Sequence, residues 1–272
     1  MSRSILIASG KGGVGKSALT ANLGVILARR GFSVVIVDTD IGLRSQDAFL
    51  GLESTVVYDL VDVSKKECPL DQALLTCPSV PLLKLVPASQ FSRVRSLDSD
   101  RFAKILRNLK EKFDYILIDA PAGIEKGLRN SLNAGVDQVI LISTPDEICI
   151  RDVERASQII VSKQQPRPQL IVNRLDNDLI RCHEMFSARV VADTLDLSLI
   201  GEIPEDPAVY RSVLRHEFFV DYDCPARKAV LRIAGRILGE IIPLPEIGNN
   251  QIPFFKRVFR KKIKEVIPLD RH

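Results

Sequence analysis

The chain has 272 residues, of which 46% are hydrophobic and 26% charged, with a formal net charge of +4 at pH 7, a balance typical of a globular protein. The lack of tryptophan and the aromatic content of 6% disfavour a base-stacking platform for single-stranded nucleic acid, and no apolar run approaches the roughly 20 residues that span a bilayer. Its five cysteines are scattered and form no C-x-x-C pair, and its three histidines lack metal-ligand spacing. We therefore expect a protein of the reducing cytoplasm with neither a zinc site nor an iron–sulfur cluster.

The first predicted strand, Ser4–Ser9, leads into the sequence GKGGVGKS and a predicted helix, Ser17–Arg30. The spacing G-x-x-x-x-G-K-[ST] in this strand–turn–helix context predicts a phosphate-binding loop. Its backbone N–H groups surround phosphate oxygens, Lys16 reaches the β- and γ-phosphates, and the Ser17 hydroxyl ligates Mg²⁺. The residues predicted to bind nucleotide here are Gly10, Lys11, Gly12, Gly13, Val14, Gly15, Lys16, Ser17 and Ala18. Lys11 is one lysine more than nucleotide binding explains. Because the strand begins so early, we expect no secretory or transit segment.

Carboxylates follow two of the next three predicted strands, which are Ser33–Asp38, Leu82–Val86 and Asp114–Asp119. Asp38 and Asp40 lie at and just after the end of one strand, and Asp119 ends another. Ligands of open α/β sheets bind at the carboxyl ends of the strands. The predicted ligands of Mg²⁺, direct or through water, are therefore Ser17, Asp38, Asp40 and Asp119. Taken singly, each aspartate is equally well explained as the start of a loop.

Three more predicted strands alternate with helical patterns. The strands are Gln138–Ser143, Gln169–Asn173 and Leu199–Ile203, and the helices are Asp98–Lys112, Ile148–Ser162, Phe186–Leu195 and Ala226–Glu240. Continuous apolar strands between amphipathic helices predict an α/β fold, a mainly parallel sheet covered by helices on both faces. Asn173 ends its strand where it can hydrogen-bond a base edge, although a polar strand terminus explains it nearly as well.

The C-terminal part is predicted to separate into a proline-containing linker, 242–253, and a basic amphipathic helix, 254–267, after an ATPase domain of residues 1–241. The helix carries a net charge of +5, which leaves −1 for the rest of the chain and disfavours a general nucleic-acid binder. Fourteen residues give a helix of roughly 21 Å, too short to cross a bilayer core of about 30 Å, so we expect it to lie in the membrane interface. A helix packed on the body or a basic nucleic-acid tail is the alternative. The predicted membrane contacts are Phe254, Phe255, Lys256, Arg257, Val258, Phe259, Arg260, Lys261, Ile263, Lys264, Val266 and Ile267.

The loop with its extra Lys11 resembles the deviant Walker A motif of the ParA/MinD ATPases, a family of P-loop NTPases. The segments DTDIGLRSQD, VVYDLVDV, DAPAGIEKG, TPDEICIRDVERA and GEIPED follow in the family's order. They are similar to the branch that regulates the site of cell division, and the final helix resembles that branch's membrane-targeting helix. The similarity extends from about Ser4 to Glu240.

The resemblance implies a slow, partner-stimulated ATP hydrolase that binds ATP or ADP with Mg²⁺ and forms an ATP-dependent homodimer. It implies a cytoplasmic protein that binds reversibly to the anionic inner face of the cell membrane. Expected partners are a MinC-like division inhibitor and a MinE-like or equivalent activator, and nucleic acid is not expected. Among related functions, a flagellar-number ATPase shares the loop and the tail, a ParA-type ATPase coats DNA, and a membrane scaffold hydrolyses little; GLRSQD and VVYDLVDV favour division-site regulation.

Individual roles are also implied by the resemblance. Lys11 corresponds to the signature lysine that contacts phosphate across the dimer, and Asp152 to an aspartate that holds this lysine when ATP is absent. Asp40 corresponds to the carboxylate that orients the attacking water, and Asp119 to the Walker B-like acid. Asn173 falls at the adenine-reading position, with Pro204, Glu205 and Asp206 lining the base. The sequence departs from the family at Ser17-Ala18, at Ser45, at Ile148–Ile150 and across 212–223, and the last two departures alter surfaces used for partners or nucleotide exchange.

Overall fold

A computed structural model describes residues 2–90, 92, 97–123, 126–163 and 167–245 of the chain. The strands are β1 Arg3–Ser9, β2 Val34–Asp38, β3 Leu75–Thr76, β4 Leu83–Val86, β5 Tyr115–Asp119, β6 Gln138–Ser143, β7 Gln169–Leu175 and β8 Ser198–Pro204. They form one sheet in the order β3-β4-β2-β5-β1-β6-β7-β8. Every neighbouring pair is parallel except β3 and β4.

Helices connect the strands and cover the sheet. They are α1 Lys16–Arg29, α2 Gln46–Leu50, α3 Leu60–Lys65, α4 Leu70–Ala73, α5 Ser99–Lys110, α6 Lys126–Asn133, α7 Glu147–Ser162, α8 Asn177–Arg181, α9 Ala188–Leu195, α10 Pro207–Arg215 and α11 Pro225–Ile237, with 3₁₀ turns at Glu53–Thr55 and Phe219–Asp221. None of the helices in the described ranges is both long enough and apolar enough to cross a membrane.

The central strands are buried on both faces because two hydrophobic layers enclose the sheet. Along β1, Ile5 and Ile7 contribute to the layer that contains α1 and α11, whereas Leu6 and Ala8 contribute to the layer that contains α5 and α7. Such doubly covered strands explain the continuous apolar runs, since neither face has to be polar. The predicted α/β fold with its mainly parallel sheet is therefore confirmed.

All seven predicted strands are present, and the prediction missed only the two-residue β3 within the described sheet. Helix ends differ where caps decide them. The predicted helix Phe186–Leu195 begins at Ala188 because Ser187 caps it, and the helix predicted to reach Glu240 ends at Ile237, before Gly239 with φ 89°. The short helices α2, α3, α4, α6, α8 and α10 were not predicted, since so few turns give too little periodicity to recognise. The predicted helix 254–267 and linker residues 246–253 lie outside the described residues.

Candidate functional site

The loop between β1 and α1 is closely packed against two neighbouring elements. A Cβ added to Gly10 would lie 2.4 Å from Cβ of Asp152 on α7, and one added to Gly15 would lie 2.5 Å from Nδ2 of Asn173 on β7. Gly15 also has a φ of 90°, which glycine adopts without the strain of a Cβ. Asn173 donates a hydrogen bond from Nδ2 to the backbone oxygen of Val14 at 2.8 Å. The shape of the loop is therefore supported by contacts from α7 and β7.

Two of the predicted metal ligands are neighbours in the sheet. The parallel register of β2 and β5 places Asp38 beside Asp119, and both are fully buried. Lys16, the first residue of α1, reaches back across the loop so that its Nζ lies 2.5 Å from Oδ1 of Asp119. Its side chain is 7% exposed. The lysine predicted to bind phosphate and the predicted Walker B-like acid are thus in direct contact.

Asp38 accepts hydrogen bonds from the backbone of the loop that follows its strand. Its Oδ1 accepts from the N–H of Asp40 at 2.9 Å, and its Oδ2 accepts from the N–H groups of Ser45 and Gln46, both at 3.1 Å. The carboxylate therefore closes the loop 40–46 and begins α2. Asp40 itself is half-buried on the same loop. The assignment of these residues to Mg²⁺ stays a prediction.

Burial raises the pKa of Asp38 to about 7, with a further increase from the charge of Asp119, against opposing backbone hydrogen bonds and the charge of Lys16. Burial also raises the pKa of Asp40, an effect that Lys16 counteracts and Asp119 increases. Two adjacent buried carboxylates face a single lysine, so one of them retains a proton more readily than an aspartate in water.

The Asp38→Asn variant should lose a pH dependence of folding stability. Folded wild type keeps a proton on Asp38 that the unfolded chain releases above its ordinary pKa of 3.8. This contribution to stability is therefore complete below pH 3.8 and is lost as pH rises through about 7. In urea unfolding with EDTA and no nucleotide, the free energy of unfolding of wild type should fall between pH 5 and pH 8 by about 2–3 kcal/mol more than that of the variant. If the free energies of unfolding of the two proteins changed equally with pH, the raised pKa of Asp38 would be contradicted.

A cavity beside the loop brings together the residues predicted to hold the base. It has a volume of about 280 Å³ and is lined by Gly15, Ala18, Asn173, Pro204, Glu205 and Asp206, together with the apolar side chains of Leu19, Ile203, Val209, Tyr210, Val213 and Phe219. The carboxylate of Asp206 stabilises the starts of α10 and α11, because it accepts hydrogen bonds from the N–H groups of Ala208 at 2.9 Å and Ala226 at 3.0 Å. The apolar wall from α10 was not predicted, although the Asp-Pro pair that begins this helix is a recognisable N-terminal signal.

Lys11 lies exposed on the rim of a larger cleft of about 780 Å³, opposite the start of α7. Asp152 is 24% exposed, and its ion-pair partner is Arg155, at 3.9 Å. A Lys11–Asp152 ion pair is not among those formed by the described residues. Burial favours a higher pKa for Asp146, but hydrogen bonds from Thr144 and Cys149 and the charge of Lys11 outweigh it, so the pKa lies below its ordinary value.

One residue of the site was missed by sequence reasoning. Gln46, at the start of α2, is fully buried and donates from Nε2 to Oδ2 of Asp119 at 2.7 Å and to the backbone oxygen of Ser17 at 3.0 Å. Its Oε1 is buried and has no hydrogen-bond partner in the structure. Gln46 lies within the segment DTDIGLRSQD, but no role was predicted for it, because its partners come from two other segments of the chain.

The oxygen atoms that could act as metal ligands around the loop fit Mg²⁺ bound together with a nucleotide. In the described ranges, no group of three or more histidine, cysteine or acidic side chains could hold a metal alone. Mg²⁺ is usually held by one or two carboxylates, waters and substrate phosphates, and it prefers oxygen. Ser17, Asp40 and Asp119 offer such oxygens, whereas both oxygens of Asp38, the fourth predicted ligand, accept backbone hydrogen bonds. The unpartnered Oε1 of Gln46 belongs to a side chain that contacts Asp119. The residues therefore fit a magnesium nucleotide and not a protein-only metal site.

The chain is similar to proteins of one family over most of its length. Residues 1–238 match the ParA family, described as NUBPL iron-transfer P-loop NTPase. The septum site-determining protein MinD of Synechocystis sp. is 39% identical over 264 residues, which cover 96% of this chain and 98% of that protein. In the MinC:MinD cell division protein complex of Aquifex aeolicus, the matching chain superposes with a TM-score of 0.84 at 37% identity, covering 91% of this chain and all of that one. The septum site-determining protein MinD of Pyrococcus horikoshii, complexed with Mg-ADP, gives a TM-score of 0.77 at 28% identity, with 87% and 96% coverage.

Proposed function

The chain belongs to the MinD group of septum site-determining proteins within the ParA family of P-loop NTPases, and from this premise we propose that it is an ATPase cycling on and off the membrane. In this proposal, ATP drives formation of a homodimer, the dimer binds the anionic inner face of the cell membrane, and hydrolysis to ADP and phosphate releases it. Division-site placement is the role of this group. The membrane cycle is what we propose for this chain.

The observation that carries the proposal is the buried contact between Lys16 and Asp119. A nucleotide triphosphate brings negative oxygens to the loop, and these compete with Asp119 for the single Lys16 ammonium. When Lys16 turns to the phosphates, Oδ1 of Asp119 is freed on the same side of the site. Bound Mg²⁺ would neutralise charge on the phosphates and orient them. Ser17, Asp40 and Asp119 would hold the ion, directly or through water, and Asp40 would orient the attacking water.

Lys11 supplies the proposed link from ATP to dimer. It lies on the open rim of the cleft and not in the buried contact network, so its ammonium is available to phosphate oxygens bound in a second copy. A nucleotide without a γ-phosphate offers less negative charge to such a contact. We therefore expect the homodimer to form with ATP and to separate after hydrolysis.

Dimerisation would in turn strengthen membrane binding. We expect residues 254–267, predicted from the sequence to form a short basic amphipathic helix, to lie in the membrane interface and to bind weakly when alone, with about 1 kcal/mol from each basic residue near anionic lipid. Two helices on one dimer raise the overall binding by roughly 100- to 10,000-fold through effective concentration. The membrane-bound dimer is then the form that we expect to recruit a MinC-like inhibitor, as the Aquifex complex suggests, and to respond to a MinE-like activator.

The proposal is tested by co-sedimentation with vesicles containing anionic lipid. We expect the fraction sedimented with ATP or a non-hydrolysable analogue to exceed that with ADP by about 10-fold or more, and a chain truncated after Ile252 to remain in solution under every condition. Neutral vesicles serve as the lipid control.

Two outcomes of this assay, and one of a separate DNA-binding assay, would contradict the proposal. Equal sedimentation with ATP and ADP would show that the nucleotide does not control membrane binding. Sedimentation of the truncated chain would show that the C-terminal segment is not the membrane anchor. Retention on DNA without binding to vesicles would favour a partition ATPase.

A further inference from the structure

Gln46 connects three parts of the nucleotide site. Its backbone N–H donates to Oδ2 of Asp38 at 3.1 Å, and its side-chain amide donates to the backbone oxygen of Ser17 and to Oδ2 of Asp119. The residue therefore joins the ends of β2 and β5 to the first turn of α1. It is fully buried, which places these bonds out of competition with water.

The chemistry of its partners determines which way the amide faces. A backbone carbonyl and a carboxylate are acceptors only, so both contacts require the NH₂ group of Gln46. The carbonyl Oε1 then faces away from them, and it is buried without a partner. A buried acceptor without a hydrogen bond costs free energy unless something else satisfies it.

The two oxygens of Asp119 are held in different ways. Oδ1 contacts Lys16 at 2.5 Å, a cation that phosphate attracts away, whereas Oδ2 contacts the neutral amide of Gln46 at 2.7 Å. Phosphate attracts a neutral amide much less strongly than an ammonium, so it does not draw Gln46 away from Asp119. After Lys16 has moved, Gln46 is the side chain that still fixes the orientation of the Asp119 carboxylate.

We propose that Gln46 is a positioning residue for the magnesium ion of the ATPase site. Its NH₂ group holds Asp119 so that Oδ1 faces the metal position when Lys16 leaves, and its Oε1 accepts a hydrogen bond from a water of the hydrated ion. This inference rests on the proposed ATPase function and deepens it, because it assigns the selectivity for the magnesium complex to a residue outside the phosphate loop.

The test is a Mg²⁺ titration of fluorescent ADP binding to the full-length protein. The Gln46→Met variant keeps the length of the side chain but removes its donors and its acceptor. Loss of such an outer partner costs metal affinity about 10- to 100-fold, so the Mg²⁺ concentration at half-maximal enhancement of ADP binding should rise by that factor. ADP binding in EDTA should be unchanged, since Lys16 and the loop are intact, and this measurement also reports that the variant is folded.

A matched control carries the same substitution elsewhere. Gln138→Met removes an amide that contacts Gln169 at the start of β6, away from the loop, and its Mg²⁺ titration should match that of wild type. An unchanged Mg²⁺ midpoint in Gln46→Met, or a loss of ADP binding in EDTA equal to the loss in Mg²⁺, would overturn the role of Gln46 while the ATPase proposal stands. If wild type binds ADP equally with and without Mg²⁺, the proposed magnesium nucleotide site itself is wrong.

Discussion

Replacement of Lys16 by methionine should reduce ATP hydrolysis by about 100- to 1,000-fold, the usual loss when a preorganised charged donor is removed from a transition state. Methionine keeps much of the length of the lysine but cannot interact with the β- and γ-phosphates. Phosphate release at saturating protein and ATP measures the effect. The exposed Lys163, at the end of α7, provides a matched control, because Lys163→Met should hydrolyse ATP at the wild-type rate.

The same substitution should also lower stability, because it leaves the fully buried Asp119 without its cation. Removing one partner of a buried ion pair costs about 3–5 kcal/mol, and the hydrogen bond from Gln46 to Asp119 offsets part of this. Urea unfolding at pH 8 without nucleotide measures the difference. Wild-type hydrolysis together with wild-type stability in Lys16→Met would show that neither the loop assignment nor the buried contact is correct.

Replacement of Lys11 by alanine should uncouple nucleotide binding from dimer formation. The side chain is exposed on the rim of the cleft, and none of the ion pairs within the described part of the chain includes it, so folding and monomer ADP binding should be preserved. Without the second lysine, ATP should no longer produce a dimer in sedimentation-velocity experiments. The gain in vesicle binding with ATP, roughly 10-fold or more in wild type, should then disappear.

The control for Lys11 is again at Lys163, where alanine should leave both the dimer and vesicle binding unchanged. A Lys11→Ala protein that dimerises on ATP, or that binds anionic vesicles as tightly as wild type, would exclude this lysine as the link between the two events. A variant that fails to bind ADP would instead place Lys11 within the monomer's own nucleotide site.

The fold and the phosphate loop could be predicted because their signals are local. Apolar runs of five or six residues identify the strands, and the loop is recognised from eight consecutive residues between a strand and a helix. Asn173 was named first from its position at a strand end and Pro204–Asp206 through the family resemblance, and the structure brings them together around one cavity. The roles assigned to Lys11, Asp40 and Asp152 remain predictions.

Contacts inside the site could not be predicted to the same extent. Asp38, proposed as a metal ligand, accepts three backbone hydrogen bonds, and Asp206 accepts two. A sequence places a carboxylate near a site but does not state which donors reach it. Such donors are backbone N–H groups whose direction depends on how each loop turns.

By itself, the amino-acid sequence determined that this chain forms a mainly parallel α/β sheet and contains a P-loop motif, because strand patterns and this motif are encoded in neighbouring residues. Only the tertiary structure decided how the site is connected. The Lys16–Asp119 contact joins residues 103 positions apart and the Gln46–Asp119 hydrogen bond joins residues 73 apart. The physical reason is that strand order and register, set by packing of the whole core, bring the ends of β1, β2 and β5 to one edge of the sheet.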